Sequence, residues 1–179
     1  ELAGHLPLDL EFYLPATDQY FYGFSSSRMA FCVYCLKTQT MLLELDLEKY
    51  RIGQWPIKKH VVRYESMLFV LAGNSVLLVD LELNKMVAEF NYVELEAFQN
   101  LLSSGHINGD AYAYKISAAR DGFVISNARS RSFMMYVAVS GTDMQLAWVK
   151  HSSSEVTVIN TEGDLLFGIE DARAKAWDK

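Results

Sequence analysis

The two cysteines of the chain, Cys32 and Cys35, have the two-residue separation found in redox-active and zinc-binding cysteine pairs. A redox pair of this type lies at the N-terminus of a helix, where the helix dipole lowers the pKa of a thiol. The apolar neighbours in Ala30–Leu36 instead predict a buried strand, on which residues three apart point to opposite faces. No second pair of cysteines is present to complete a structural zinc site. We therefore interpret both thiols as core residues.

The other chemistry-bearing residues lack the spacing of a catalytic or metal-binding motif. The four histidines are His5, His60, His106 and His151, and no two of them are two or four positions apart. The chain has no nucleophile motif of the G-x-S-x-G kind and no glycine-rich phosphate loop. We expect no catalytic residue, no metal site and no bound cofactor. An enzyme built on this chain would need a site assembled from distant loops, with the candidates His106, Asp110, Asp121 and His151.

Basic residues are concentrated once, between Lys49 and Arg63, where they are interleaved with aromatic residues. Such a stretch forms either a solvated strand edge or a surface that binds an acidic peptide or a single-stranded nucleic acid. The net charge of -6 disfavours nucleic acid. Two further arginines flank Ser130 and are suited to bidentate contacts with acidic side chains. The predicted partner-binding residues are Trp55, Lys58, Lys59, Arg63, Arg129 and Arg131.

The composition predicts one globular domain over residues 1–179 and excludes several classes of protein. Hydrophobic residues make up 51% of the chain and aromatic residues 13%, which is incompatible with intrinsic disorder. Two cysteines are too few for a disulfide-framed miniprotein, and no run of about 18 apolar residues is present to cross a membrane. No asparagine lies in a glycosylation sequon, so we expect an intracellular location, in the cytoplasm or nucleus. Because the chain starts at Glu1 rather than Met, we also expect a piece of a larger protein.

Alternation of apolar and polar residues with a period of two, interrupted by turn residues, predicts an all-β fold. One segment departs from this alternation, because Tyr92–Leu102 has helical spacing and is followed by serine and glycine; we predict a helical insertion there. The last residues, Asp171–Trp177, predict a short terminal helix. The fourteen predicted strands are Tyr20–Phe24, Met29–Leu36, Met41–Leu47, Tyr50–Trp55, His60–Tyr64, Met67–Ala72, Val76–Leu81, Met86–Phe90, Ala111–Ile116, Gly122–Ser126, Phe133–Val139, Met144–Lys150, Glu155–Asn160 and Leu165–Ile169.

A strand–turn–strand pattern recurs along the chain, with most copies about 35–45 residues apart. Its copies begin near Met41 (MLLELDLEKYRIGQW), Val76 (VLLVDLELNKMVAEF), Ala111 (AYAYKISAARDGFVIS) and Val156 (VTVINTEGDLLFGI). With about four strands in each unit, the spacing predicts stacked four-stranded antiparallel sheets. The first strand of such a hairpin ends in Asp or Asn before a polar turn, and this pattern resembles the blades of PQQ-like and YVTN-like β-propellers. The resemblance implies a β-propeller-like fold, or a part of a larger propeller.

We predict a non-enzymatic protein–protein interaction module, a scaffold for a protein partner and a subunit of a larger assembly. The repeated hairpin and the lack of a catalytic motif carry this prediction, and we expect neither a membrane nor a nucleic-acid partner. A second hypothesis is a single antiparallel β-barrel that binds a small molecule, because the chain is rich in aromatic residues and Gly53-Gln54-Trp55 resembles the lipocalin Gly-x-Trp motif. The loop-assembled enzyme is the third hypothesis.

Overall fold

A computed structural model describes residues 14–17, 20–25, 27–50, 59–107, 113, 115–119, 121–127, 132–152, 156–162, 165–170 and 173–178. These residues form fifteen β-strands, one α-helix and two short 3-10 helices. The helix α1 spans Glu96–Ser103, and the 3-10 helices span Glu48–Tyr50 and Tyr92–Glu94. The strands are β1 (Leu14–Thr17), β2 (Tyr20–Ser25), β3 (Ala30–Cys35), β4 (Thr40–Asp46), β5 (Lys59–Tyr64), β6 (Met67–Ala72), β7 (Ser75–Asp80), β8 (Lys85–Asn91), β9 (Lys115–Ala119), β10 (Gly122–Ser126), β11 (Ser132–Ser140), β12 (Asp143–Ser152), β13 (Val156–Glu162), β14 (Leu165–Glu170) and β15 (Arg173–Asp178).

The strands form four separate antiparallel sheets, each a meander in which consecutive strands are neighbours. Sheet I contains β1–β4, sheet II β5–β8, sheet III β9–β12 and sheet IV β13–β15. The prediction of an all-β fold with antiparallel sheets and one short helix is therefore confirmed. The alternative of a single antiparallel barrel is wrong for the described residues, because their strands pair only within these four sheets and no sheet closes on itself.

Sheet II is buried on both faces because its inner strands are continuously apolar. In β6, Leu68 and Val70 pack with residues of sheet I, whereas Phe69 and Leu71 pack with residues of sheet III. All four side chains are at most 2% exposed. Since side chains alternate between the two faces of a strand, an uninterrupted apolar run such as MLFVLA supplies both cores. Sheet II is thus the middle layer between sheets I and III.

Aromatic rings fill the core between sheets II and III. The ring of Phe123 on β10 lies 4.9 Å from that of Phe69 on β6 and 6.2 Å from that of Phe90 on β8, measured between centroids. Helix α1 contributes Phe98, whose ring is 5.2 Å from that of Phe133 on β11. Aromatic pairs at such separations add about 0.5–1.5 kcal/mol each beyond the burial of their area. This core therefore holds the two sheets and the helix together.

The first strands of sheets II, III and IV are neighbours, because β9 packs against both β5 and β13. The fully buried Tyr92 connects sheets II and III by hydrogen bonds. Its hydroxyl donates a hydrogen bond to the Gly73 carbonyl oxygen at 2.7 Å and accepts one from the Ala113 backbone N–H at 2.9 Å. Gly73 lies in the turn between β6 and β7, and Ala113 lies just before β9. One hydroxyl thus links the two sheets.

Several local predictions differ from the structure. The terminal segment predicted as a helix instead forms strand β15. Its small and larger residues alternate with a period of two, and the strand pairs with β14, with Lys175 opposite Gly168. Strand β1 has no predicted counterpart; it contains Pro15, which is accepted there because β1 is an edge strand. The predicted strand 50–55 begins at Tyr50, which instead ends a 3-10 helix, and its other positions lie outside the described residues. Strand β9 spans Lys115–Ala119, and the positions 111, 112 and 114 of the predicted strand lie outside the described residues.

The predicted helical insertion is confirmed, although it is divided. Residues 92–94 form a 3-10 helix and α1 begins at Glu96, with Leu95 between them in an extended conformation. The helix ends at Ser103, and Gly105 follows it with φ +69°, a left-handed conformation that glycine adopts without strain. The predicted end of the helix at Ser103, Ser104 and Gly105 is therefore confirmed.

The last hairpins of sheets I and II correspond to each other at a separation of 45 residues. In each hairpin a four-residue turn joins the third and fourth strands, and its last residue has a positive φ, 56° at Gln39 and 50° at Asn84. Each fourth strand then carries one extra, bulged residue, Leu42 in β4 and Val87 in β8. Met41 therefore corresponds to Met86. The 35-residue spacing read from the sequence instead aligns β4 with β7, a fourth strand with a third.

Candidate partner-binding site

The structure describes two of the six predicted partner-binding residues. Lys59 is the first residue of β5, and Arg63 is the fifth. Trp55, Lys58, Arg129 and Arg131 lie outside the described residues. The candidate site therefore consists of β5 and the residues that the fold brings beside it.

Arg63 is exposed at the margin of the interface between sheets I and II. It lies on the same face of β5 as Val61, which is buried against sheet I. Its Nε donates a hydrogen bond to the backbone oxygen of Glu65 at 2.6 Å, which holds the guanidinium against the tight turn after β5. Burial raises the pKa of the Tyr22 phenol, and the positive charge of Arg63 opposes that rise. The guanidinium thus lies close to sheet I.

His60 lies on the opposite face of β5 and faces sheet III. The backbone N–H of Ile116 donates a hydrogen bond to His60 Nδ1 over 3.5 Å, which joins β5 to β9. Burial, together with the positive charge of Lys115, lowers the pKa of the His60 imidazole. The neutral form is also the one that accepts this hydrogen bond, because protonated imidazole has no free lone pair on Nδ1.

Lys115 completes the group, although no motif or neighbouring charge marks it in the sequence. It is the first residue of β9, as Lys59 is of β5, and its side chain is partly exposed. Only the order of the sheets brings Lys115 close to Lys59, because the two strands that begin with these lysines are neighbours. We define the basic seam as Lys59, His60, Arg63 and Lys115.

The basic seam has no acidic counterpart in its own strands. The sequences of β5 (KHVVRY) and β9 (KISAA) contain no Asp or Glu. Within the described part of the chain the ion pairs are Arg28–Glu44 and Lys49–Glu89, so neither Arg63 nor Lys115 is neutralised there. A surface of this kind attracts carboxylates, because arginine binds them bidentately and lysine adds a point charge.

Lys49 belongs to the same basic stretch of the sequence but forms an ion pair within the fold. Its Nζ lies 3.2 Å from Glu89 Oε2, an oxygen that also accepts a hydrogen bond of 2.8 Å from the Tyr50 hydroxyl. Ser75 Oγ donates to the other carboxylate oxygen at 3.1 Å. Burial by itself raises the pKa of the Glu89 carboxyl, but these donors and the charge of Lys49 bring it below its ordinary value. We call Lys49, Tyr50, Ser75 and Glu89 the carboxylate clamp.

The two cysteines are buried free thiols on β3. Cys32 is fully buried with Ala30 and the partly buried Met41, and Cys35 is 7% exposed. Their interpretation as core residues is confirmed.

The residues of the loop-assembled enzyme hypothesis are divided between two places. His106 and His151 come together, with their ring centroids 4.2 Å apart. Asp121 instead accepts a hydrogen bond of 2.6 Å from the Tyr136 hydroxyl and, through its backbone oxygen, one from Val139 N. His151 lies opposite Phe133, so the Asp121 end of β11 is six residues, about 20 Å, away. Asp110 and His5 lie outside the described residues.

Comparison with known proteins adds no family to this geometry. No protein-family model matches the chain, and no curated protein matches it either. Among the described residues, no group of three or more His, Cys, Asp or Glu side chains is placed to hold a metal ion. No helix in that same part of the chain is both long and apolar enough to cross a membrane.

Proposed function

We propose that this chain is a protein-interaction module that binds an acidic segment of a protein partner at the basic seam. The observation that carries the proposal is positive charge without an acidic counterpart on two adjacent first strands, in a chain whose net charge is -6. In such a chain a local basic surface selects an acidic partner, whereas the overall charge repels long polyanions.

We propose further that the four sheets are arranged as in a β-propeller, or as an arc of one. Three observations support this arrangement: each sheet is a meander, sheets I to III stack face to face, and the first strands β5, β9 and β13 are neighbours. In a propeller the sheets surround a central channel. The basic seam would then lie on the strands that line the channel, where a partner segment meets residues from two sheets at once.

The spacing of the seam sets the kind of segment that fits. Lys59 and Arg63 are four residues apart on one strand, a distance of about 13 Å, and Lys115 lies across the gap to β9. Because Arg63 lies on the face of β5 toward sheet I and Lys115 lies beside His60 on the opposite face, a segment would have to run along the edge of β5 to bring its carboxylates to both groups. Arg63 favours planar, bidentate contact, and its bond to the Glu65 oxygen already restrains the guanidinium.

The proposal is tested by a fluorescence-polarisation titration of the whole chain with a labelled peptide rich in Asp and Glu. We expect the double variant R63Q/K115Q to bind at least tenfold more weakly than the wild type, and the wild-type affinity to fall as salt is raised. The control is Lys85→Gln, which removes an exposed lysine of sheet II at the first position of β8. Equal affinities of R63Q/K115Q and wild type, or equal losses in K85Q and R63Q/K115Q, would overturn the proposal.

A further inference from the structure

His106 and His151 form a pair of contacting imidazoles on two different elements. His106 follows α1, and His151 is the ninth residue of β12. Their ring centroids are 4.2 Å apart with an angle of 45° between the planes, and both residues are exposed. They are 45 positions apart in the chain, so only the packing of α1 near β12 brings them together.

The backbone holds both histidines in place. The N–H of His106 donates a hydrogen bond to the Leu101 oxygen at 3.0 Å, and the next residue, Ile107, is 2% exposed. His151 is paired across the sheet with Phe133, which is 1% exposed. The Cα positions of the pair are thus set by buried neighbours, while the imidazoles themselves face solvent.

Ser104 determines which nitrogen of His106 carries the proton. Its Oγ lies 2.7 Å from the Asn100 carbonyl oxygen and 2.5 Å from His106 Nδ1. A carbonyl oxygen only accepts, so the single hydroxyl proton is donated to Asn100. Oγ must then accept from His106 Nδ1–H, and the neutral imidazole keeps its lone pair on Nε2. A hydrogen bond from one ring nitrogen to an acceptor is the usual way in which a metal-binding histidine is oriented.

We propose that His106 and His151 form a surface site for a divalent transition-metal ion, such as Zn²⁺ or Ni²⁺. Imidazole is a preferred ligand of these ions, whereas Mg²⁺ and Ca²⁺ take oxygen ligands. Tetrahedral Zn–N bonds of about 2.0–2.1 Å place two ligating nitrogens about 3.3 Å apart, a separation comparable with the 4.2 Å between the two ring centroids. Water takes the remaining positions, since no third ligand joins the pair within the described residues. The site is independent of the basic seam.

Isothermal titration of the whole chain with Zn²⁺ and, separately, with Ni²⁺ tests this site. We expect one ion per chain and at least a tenfold weaker affinity in each of His106→Gln and His151→Gln, while His60→Gln, a change at a histidine outside the pair, binds like the wild type. We expect Ser104→Ala to weaken binding less than either histidine change.

A second readout separates loss of the site from loss of the fold. Thermal unfolding of the two histidine variants without metal should match the wild type, because both side chains are exposed, and the metal-induced rise in Tm should disappear. The proposal is overturned by a wild type that binds neither ion at 1 mM, or by histidine variants that bind both ions as the wild type does.

Discussion

Two parts of one basic stretch have opposite environments: Lys49 belongs to the carboxylate clamp, whereas Lys59, His60 and Arg63 belong to the basic seam. In the clamp, Lys49 lies 3.2 Å from Glu89, whose carboxylate also receives hydrogen bonds from Tyr50 and Ser75. In the seam, Arg63 donates to a backbone oxygen and pairs with no acid among the described residues, and the charge that lowers the pKa of the His60 imidazole is that of Lys115, which is also positive.

The difference depends on whether an acidic residue lies in the strands that carry each group. The clamp includes Glu89 of β8, whereas the strands of the seam, β5 and β9, contain no Asp or Glu. The positive charge of Lys49 is therefore paired within the fold, whereas Arg63 and Lys115 form no ion pair among the described residues. Residue type alone does not distinguish the two groups.

Removal of the clamp carboxylate should give the largest change in stability. We expect Glu89→Ala to lower the free energy of unfolding by about 2 kcal/mol, because it removes the acceptor of the buried Tyr50 hydroxyl and the nearer of the two acceptors of the buried Ser75 hydroxyl. Urea unfolding measures this loss, with Glu82→Ala, an exposed acid in the turn between β7 and β8, as the control. The contrast between the groups would fail if E89A weakened binding of the acidic peptide as much as R63Q/K115Q does.

Reversal of one seam charge should have the converse effect. We expect Arg63→Glu to leave the free energy of unfolding within about 0.5 kcal/mol of the wild type, because the side chain is exposed and pairs with no acid among the described residues. The same change should weaken the acidic peptide by tenfold or more, which is about 1.4 kcal/mol. Paired urea and peptide titrations of one preparation measure both quantities. A large loss of stability would show that Arg63 is part of the fold rather than a binding residue.

The pH dependence of stability should report the environment of His60. Its pKa is lowered in the folded state, so between that value and about 6.5 the unfolded chain binds more protons than the folded one. This contribution to stability is complete above pH 6.5 and is lost as pH falls below it. We expect His60→Gln to show a shallower fall in the free energy of unfolding between pH 7 and 5. Parallel curves for variant and wild type would contradict the assignment.

The smallest effect is expected for the lysine of the clamp. Its side chain is 59% exposed, and exposed ion pairs contribute about 0–1 kcal/mol. We expect Lys49→Met to lower the free energy of unfolding by less than 1 kcal/mol and to leave peptide affinity unchanged. A loss as large as that of E89A would mean that the ion pair, rather than the two buried hydroxyls, stabilises the clamp.

The sequence predicted the positions of most strands but not the contacts between residues of different strands. Period-two alternation located most strands to within one or two residues, and β10 (Gly122–Ser126) is as predicted. The same alternation at the end of the chain was mistaken for a helix, because small residues suit both structures and only pairing with β14 decides between them.

The candidate site was predictable only on one strand. Arg63 stood out by its basic neighbours, whereas Lys115 is isolated in the sequence and becomes part of the seam because β9 packs against β5. Glu89 and Lys49 are 40 positions apart, and His106 and His151 are 45 apart, so neither contact is visible in local spacing. Such contacts follow from sheet order, which a pattern of alternation does not contain.

Mapping of a bound acidic peptide on the isotope-labelled chain by NMR tests the central claim most directly. The amide shifts of β5 and β9 should change in proportion to peptide occupancy, and the same peptide should leave β4, β8 and the clamp unchanged. R63Q/K115Q should abolish these changes at the same peptide concentration, with K49M as the matched control that retains them. Shifts that appear at β8, β12 or α1 while β5 and β9 remain unchanged would contradict the assignment of partner binding to the basic seam.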